Sequence, residues 1–87
     1  MGRALVKSVW TQRHKALVTL LVQHRRQAGL TQTEVARKLG EHQSFIARVE
    51  SGQRRIDLVE FLTLAEIIGF DPVEAVRAVS LTAASRR

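Results

Sequence analysis

Residues 30–52 read LTQTEVARKLGEHQSFIARVESG, and the reading of this stretch decides the fold. Thr31 offers the hydroxyl of a helix N-cap, and Glu34 stands three residues on. Each can satisfy the other's backbone amide in a T-x-x-E capping box. Val35, Ala36 and Leu39 then repeat at helical spacing and form one apolar stripe. Gly40 falls where a left-handed residue is wanted, because it has no Cβ to clash. A second segment runs from about Gln43 to Glu50, with Ile46 and Val49 facing inward, and Gly52 closes it in the same way. Helices this short are marginal alone. They must therefore pack on each other and on neighbours, which leaves their outer faces for recognition.

Working outward, Thr11 to about Ala28 reads as one long helix with Thr11 as its N-cap. Leu17, Leu20, Leu21 and His24 lie on one face, Val18 and Val22 beside it, and Gly29 ends it. Downstream, Asp57 and Glu60 make a second capping box. Leu58, Phe61, Leu62, Leu64, Ala65 and Ile68 follow, and Gly69 stops that helix. Asp71-Pro72 opens a fifth helix, with proline in its first turn. Val73, Ala75, Val76, Ala78, Val79 and Leu81 leave that helix apolar nearly all round, more than one core needs. Residues 1–10 fit neither the helical nor the strand period and read as an arm, a strand or a lead-in. Residues 82–87 read as a basic tail. With no repeat or linker, the expectation is a single all-α domain over 1–87, a compact five-helix bundle.

Charge adds a direction. The 87 residues carry 14 Lys+Arg against 8 Asp+Glu, a net +6. No acidic residue precedes Glu34, and no basic residue falls between Ile56 and Glu74. That polarity points to a polyanion-facing side, or more plainly to a solvated basic surface. Cysteine is absent, which excludes disulfides and thiolate zinc sites. His14 and His24 lack partners at ligand spacing and read as ordinary helix-surface histidines, so no metal and no cofactor is expected. No apolar run approaches the ~18 residues of a membrane span, and no long apolar run marks a secretory signal in residues 1–10. A cytoplasmic location is the expectation.

The ordered set Leu30-Thr31-Gln32, Glu34, Val35-Ala36, Leu39-Gly40, Gln43-Ser44, Ile46, Arg48-Val49-Glu50 and Gly52 resembles the helix-turn-helix of the phage repressor and Cro type, also called the xenobiotic-response-element family. The likeness runs from about Leu21 to Val76. It implies a lambda-repressor-like fold whose third helix enters the major groove by its N-terminal end. Carried over by position, the base readers are His42, Gln43, Ser44, Phe45 and Arg48. Gln43 suits adenine, Arg48 suits guanine or a phosphate, and Phe45 a thymine methyl or the neighbouring backbone. His42 stands at an N-cap position often held by serine or threonine, which suggests contact in place of capping. Glu41 puts a negative charge in the turn, which places that turn away from phosphate. Gln32, at the positive end of the second helix, is a phosphate contact by resemblance. Ser51, Arg54 and Arg55 would grip the flanking backbone, with Arg37 and Lys38 as weaker candidates. Arg25 and Glu50 hold positions that form a partly buried ion pair in related repressors.

A short recognition helix reads few base pairs, so two copies on a palindromic operator are expected. Val76, Val79 and Leu81 are the expected dimer interface, unless that surface closes over Leu5, Val6, Val9 and Trp10 of the same chain. The reading is thus a homodimeric repressor-type transcriptional regulator of double-stranded DNA, too short for a separate effector domain. The rivals are an antitoxin or coactivator-like module that chiefly binds a protein such as a toxin, and an enzyme. No nucleophile motif, phosphate loop or paired-carboxylate site favours the enzyme.

Overall fold

Five helices, and no strand, make up residues 11–82, the part of the chain that the computed structural model describes. Expectations placed on residues 1–10 and 83–87 lie outside the described residues. The helices are α1 (Gln12–Gln27), α2 (Gln32–Leu39), α3 (Gln43–Glu50), α4 (Leu58–Ile68) and α5 (Pro72–Ser80).

Local chemistry sets most of the boundaries. Thr11 Oγ1 accepts from the His14 amide at 3.1 Å and starts α1. In α2, Thr31 Oγ1 accepts from the Glu34 amide at 3.0 Å, while Glu34 Oε1 accepts from the Thr31 amide at 2.8 Å. Asp57 and Glu60 repeat this exchange in α4 at 2.7 and 2.9 Å. Asp71 Oδ1 accepts from the Val73 amide at 2.9 Å ahead of Pro72. Gly40 ends α2 at φ +83°, a conformation that costs an L side chain about 1–2 kcal/mol. The chain thereby turns within three residues into α3. His42 caps α3 without a side-chain hydrogen bond.

The core is built where the faces of these helices meet. Leu21 of α1, Val35 and Ala36 of α2, Phe45, Ile46 and Val49 of α3, and Phe61, Leu64 and Ala65 of α4 are all buried together with Phe70 and Ala75. Truncating a side chain such as Ile46 to alanine would cost about 2–5 kcal/mol. His24 stacks on Phe70, with ring centroids 4.5 Å apart. His14, expected at the surface, is instead buried, because its face of α1 turns inward with that of Val18. Arg13 braces α1 against the end of α5. Its Nε donates to the Thr82 carbonyl and its Nη2 to the Ser80 carbonyl, both at 3.2 Å. A cation on the last carbonyls of a helix also complements its dipole. α2 packs on α3 and α4, α1 on α3 and α5, and α4 on α5, so the α2–α3 pair is tied to the rest of the bundle through both α1 and α4.

Candidate nucleic-acid interface

α3 has two faces. Phe45, Ile46 and Val49 turn into the core, while His42, Gln43, Ser44 and Arg48 stand exposed on the other side. Phe45, expected among the base readers, is therefore corrected to a core residue at 5% exposure. Its position beside Ile46 puts it on the inward stripe.

The start of α3 is held by a chain of polar contacts that begins in the interior. Arg25 donates from Nε to Glu50 Oε2 at 2.6 Å and from Nη2 to Oε1 at 2.9 Å. Its Nη1 donates to the Leu30 carbonyl at 2.8 Å. The two side chains are only 10% and 9% exposed. The hydrogen bond to Glu50 raises the Arg25 pKa further, against the opposing effect of burial. Glu50 Oε1 also accepts from Gln32 Nε2 at 2.8 Å, and Gln32 Oε1 accepts from Gln43 Nε2 at 2.7 Å. A charge pair joining α1 to α3 thus orients an amide on α2, and that amide orients Gln43. Gln43 keeps its Oε1 and a second Nε2–H, the acceptor and donor that match adenine N6 and N7. The resemblance pointed to the ion pair. The two amide links need side-chain geometry that spacing does not encode.

The phosphate candidates divide. Arg37 and Lys38, in the last turn of α2, and Arg55 are exposed. At the start of α2 the capping box already places a carboxylate, whose pKa the Thr31 amide holds below the usual range. A phosphate bound by Gln32 would share that positive end with Glu34. Ser51 Oγ donates to the Arg48 carbonyl at 3.1 Å, so its proton is already engaged. Arg54 is the most constrained. Its Nη1 donates to the Arg55 carbonyl at 2.7 Å and to Glu60 Oε1 at 3.2 Å, its Nη2 to Glu60 Oε2 at 3.2 Å, and its guanidinium lies 4.3 Å from the centre of the Phe45 ring. The Arg54 hydrogen bonds, with that from the Asp57 amide, lower the Glu60 pKa.

A second surface is apolar. Leu58, Val59 and Leu62 of α4 and Val73 and Val76 of α5 are exposed, and so is Leu81. Leu58 and Val76 line a groove of about 340 Å³ with Leu17, Ile56, Phe61 and Val79. Leu62 shares a second hollow with Val73 and Val76, so the patch is continuous. Of the expected dimer residues, Val76 and Leu81 lie at the surface, while Val79 is half-buried in the groove wall. The α4 part was missed. Its signal was present, since apolar residues at Leu58, Val59, Phe61, Leu62, Leu64 and Ala65 cover more of a helix than one core can bury. Among the described residues no cluster of three histidine, aspartate, glutamate or cysteine side chains can hold a metal.

An exposed, preorganised short helix behind a tight glycine turn is the architecture of a DNA-reading helix-turn-helix. A family model described as a helix-turn-helix domain matches residues 16–78. The chain is similar to an XRE-family like protein from Pseudomonas syringae pv. tomato str. DC3000, with a TM-score of 0.74 and 40% identity, over 78% of this chain and 83% of that one. It is also similar to the restriction-modification controller protein C.AhdI from Aeromonas hydrophila, with a TM-score of 0.63 and 34% identity, over 68% of this chain and 86% of that one. No curated protein sequence matches. The chain belongs to the Cro and XRE-type helix-turn-helix family and is a DNA-binding transcription regulator. The fold is that of a DNA-binding regulator and not typically of an enzyme. No helix among the described residues is long and apolar enough to cross a membrane.

Proposed function

We propose that the protein is a sequence-specific repressor-type regulator that binds a palindromic operator as a homodimer, in the cytoplasm. One observation carries the reading: the Arg25–Glu50–Gln32–Gln43 relay, which holds a base-matching amide at the exposed start of α3. Side chains fixed before binding lose less entropy on docking. Gln43, Ser44, His42 and Arg48 read bases in this proposal, and Gln32, Arg37, Lys38, Arg55 and Ser51 position the backbone. The likeness to a restriction-modification controller supports the regulatory role. The continuous apolar face of α4 and α5 supports the dimer, since a patch of this kind marks an interaction site and two short recognition helices need a fixed spacing of about one DNA turn.

Selection of duplexes from a randomised pool by the purified protein tests the first part. Recovery of an inverted repeat with half-sites about 10 bp apart is expected. Recovery of unrelated sequences would overturn it. Sedimentation of the free protein tests the second part, with a two-subunit species expected and a monomer at all concentrations counting against it.

A further inference from the structure

Arg54 touches both the first and the last turn of α3. Its main-chain amide donates to the Arg48 carbonyl in the last turn of α3 at 3.1 Å. Its guanidinium reaches back over Phe45, in the first turn, at 4.3 Å from the ring centre. The face-on cation would be attracted by the ring quadrupole. Phe45 lies between Ser44 and Ile46, in the same helical turn as Gln43. That turn needs such a hold. α3 has eight residues, its N-cap makes no side-chain hydrogen bond, and no acidic residue stands in its first turn. Short helices without caps fray at that end.

The other side of the guanidinium is anchored. Glu60 takes it with both oxygens at 3.2 Å, and Glu60 Oε1 is itself fixed by the Asp57 amide at 2.9 Å. The N-terminal capping box of α4 therefore serves as the footing of a clamp on the reading end of α3. Three of the five guanidinium N–H donors are engaged within the protein. A phosphate at the remaining two would lie close to the Glu60 carboxylate, which offsets the charge that releases counterions.

We infer that Arg54 is a positioning residue for base readout, acting through Phe45 and held by Glu60, and not a phosphate grip. The inference rests on α3 being the base-reading helix. Specificity then depends on a residue that touches no base, and the first turn of α4, which carries the exposed Leu58 and Val59, is mechanically joined to the DNA-reading edge.

The test uses the full chain and the duplex recovered by selection, with a scrambled duplex as reference. Glu60→Gln should lower the ratio of selected to scrambled affinity by about three- to tenfold, the range expected for losing a charge-assisted contact and loosening the cation over the ring. The salt slope should not change. A phosphate grip predicts the opposite: freeing Arg54 would strengthen binding to both duplexes and steepen the slope. Arg54→Lys is the second variant, used if Glu60→Gln does not fold. It keeps the charge but not the planar, bidentate geometry. Loss of discrimination with an unchanged slope supports positioning, and retained discrimination overturns it. If the wild-type protein itself shows no preference, the base-reading proposal fails. If it discriminates and both variants do so equally well, the positioning role alone fails.

Discussion

The two most distinctive exposed surfaces of this small domain are built on opposite principles. The α2–α3 edge is polar and fixed in advance, with each amide held by a neighbour back to a buried ion pair. The α4–α5 face is apolar, and Leu58, Val59 and Val73 are 66%, 72% and 72% exposed on it. Polar recognition needs orientation, because a misaligned amide gains nothing from a base edge. Apolar association is non-directional and needs only complementary area. The chain spends its hydrogen bonds where direction decides the outcome, and leaves methyl groups where contact alone does.

The sharpest way to break the contrast is Arg25→Ala. Removing one partner of a buried pair should cost about 3–5 kcal/mol, read as a shift of the urea midpoint at constant slope. A cost below about 1 kcal/mol would mean that the pair is solvated and cannot anchor the polar edge. Next comes the apolar face. Leu58→Glu with Val76→Glu should leave the fold intact, since both side chains are exposed. It should abolish the dimer and weaken operator binding by roughly 10²-fold or more through lost avidity. Dimers that persist in sedimentation would refute the assignment. Third, Gln43→Ala should remove about 1–3 kcal/mol of discrimination at one or two positions of each half-site. A randomised selection that returns the unaltered motif would count against the polar reading.

The smallest effect is acid sensitivity. The Arg54 and Asp57 hydrogen bonds hold the Glu60 carboxyl below its ordinary range. A carboxylate lowered in the folded state adds stability that is present above the unfolded value. That contribution fades as pH falls through the lowered one. Glu60→Gln should therefore flatten the acid limb of the melting temperature against pH while changing the neutral region less. An identical acid limb in the variant would remove Glu60 from the account.

Much of the scaffold was legible because its signals are local. Thr31, Asp57 and Asp71 cap helices at their expected places, and Gly40 and Gly69 end two of them. Those devices act within four residues of chain, which is the range over which a pattern can be read. Distant pairings were not legible. Arg13 meets Ser80 and Thr82 across 67 and 69 residues, and nothing near Arg13 announces it. Phe45 was read as a contact because its motif position lies beside the reading residues, whereas the helix turns it inward. Arg54 and Arg55 look alike as a basic pair, yet only the fold shows that Glu60 claims Arg54.

The link between Gln32 and Gln43 bears on attempts to redirect the protein to a new target. Substituting Gln43 alone strips Gln32 of the donor that satisfies its oxygen, and Gln32 then has reason to let go of Glu50 or turn toward the duplex itself. On the proposed reading, a library that varies Gln43 by itself therefore also alters the support of Gln32. Varying the two glutamines together samples pairs that can still brace each other, so on the proposed reading the code is written in couples of residues on separate helices.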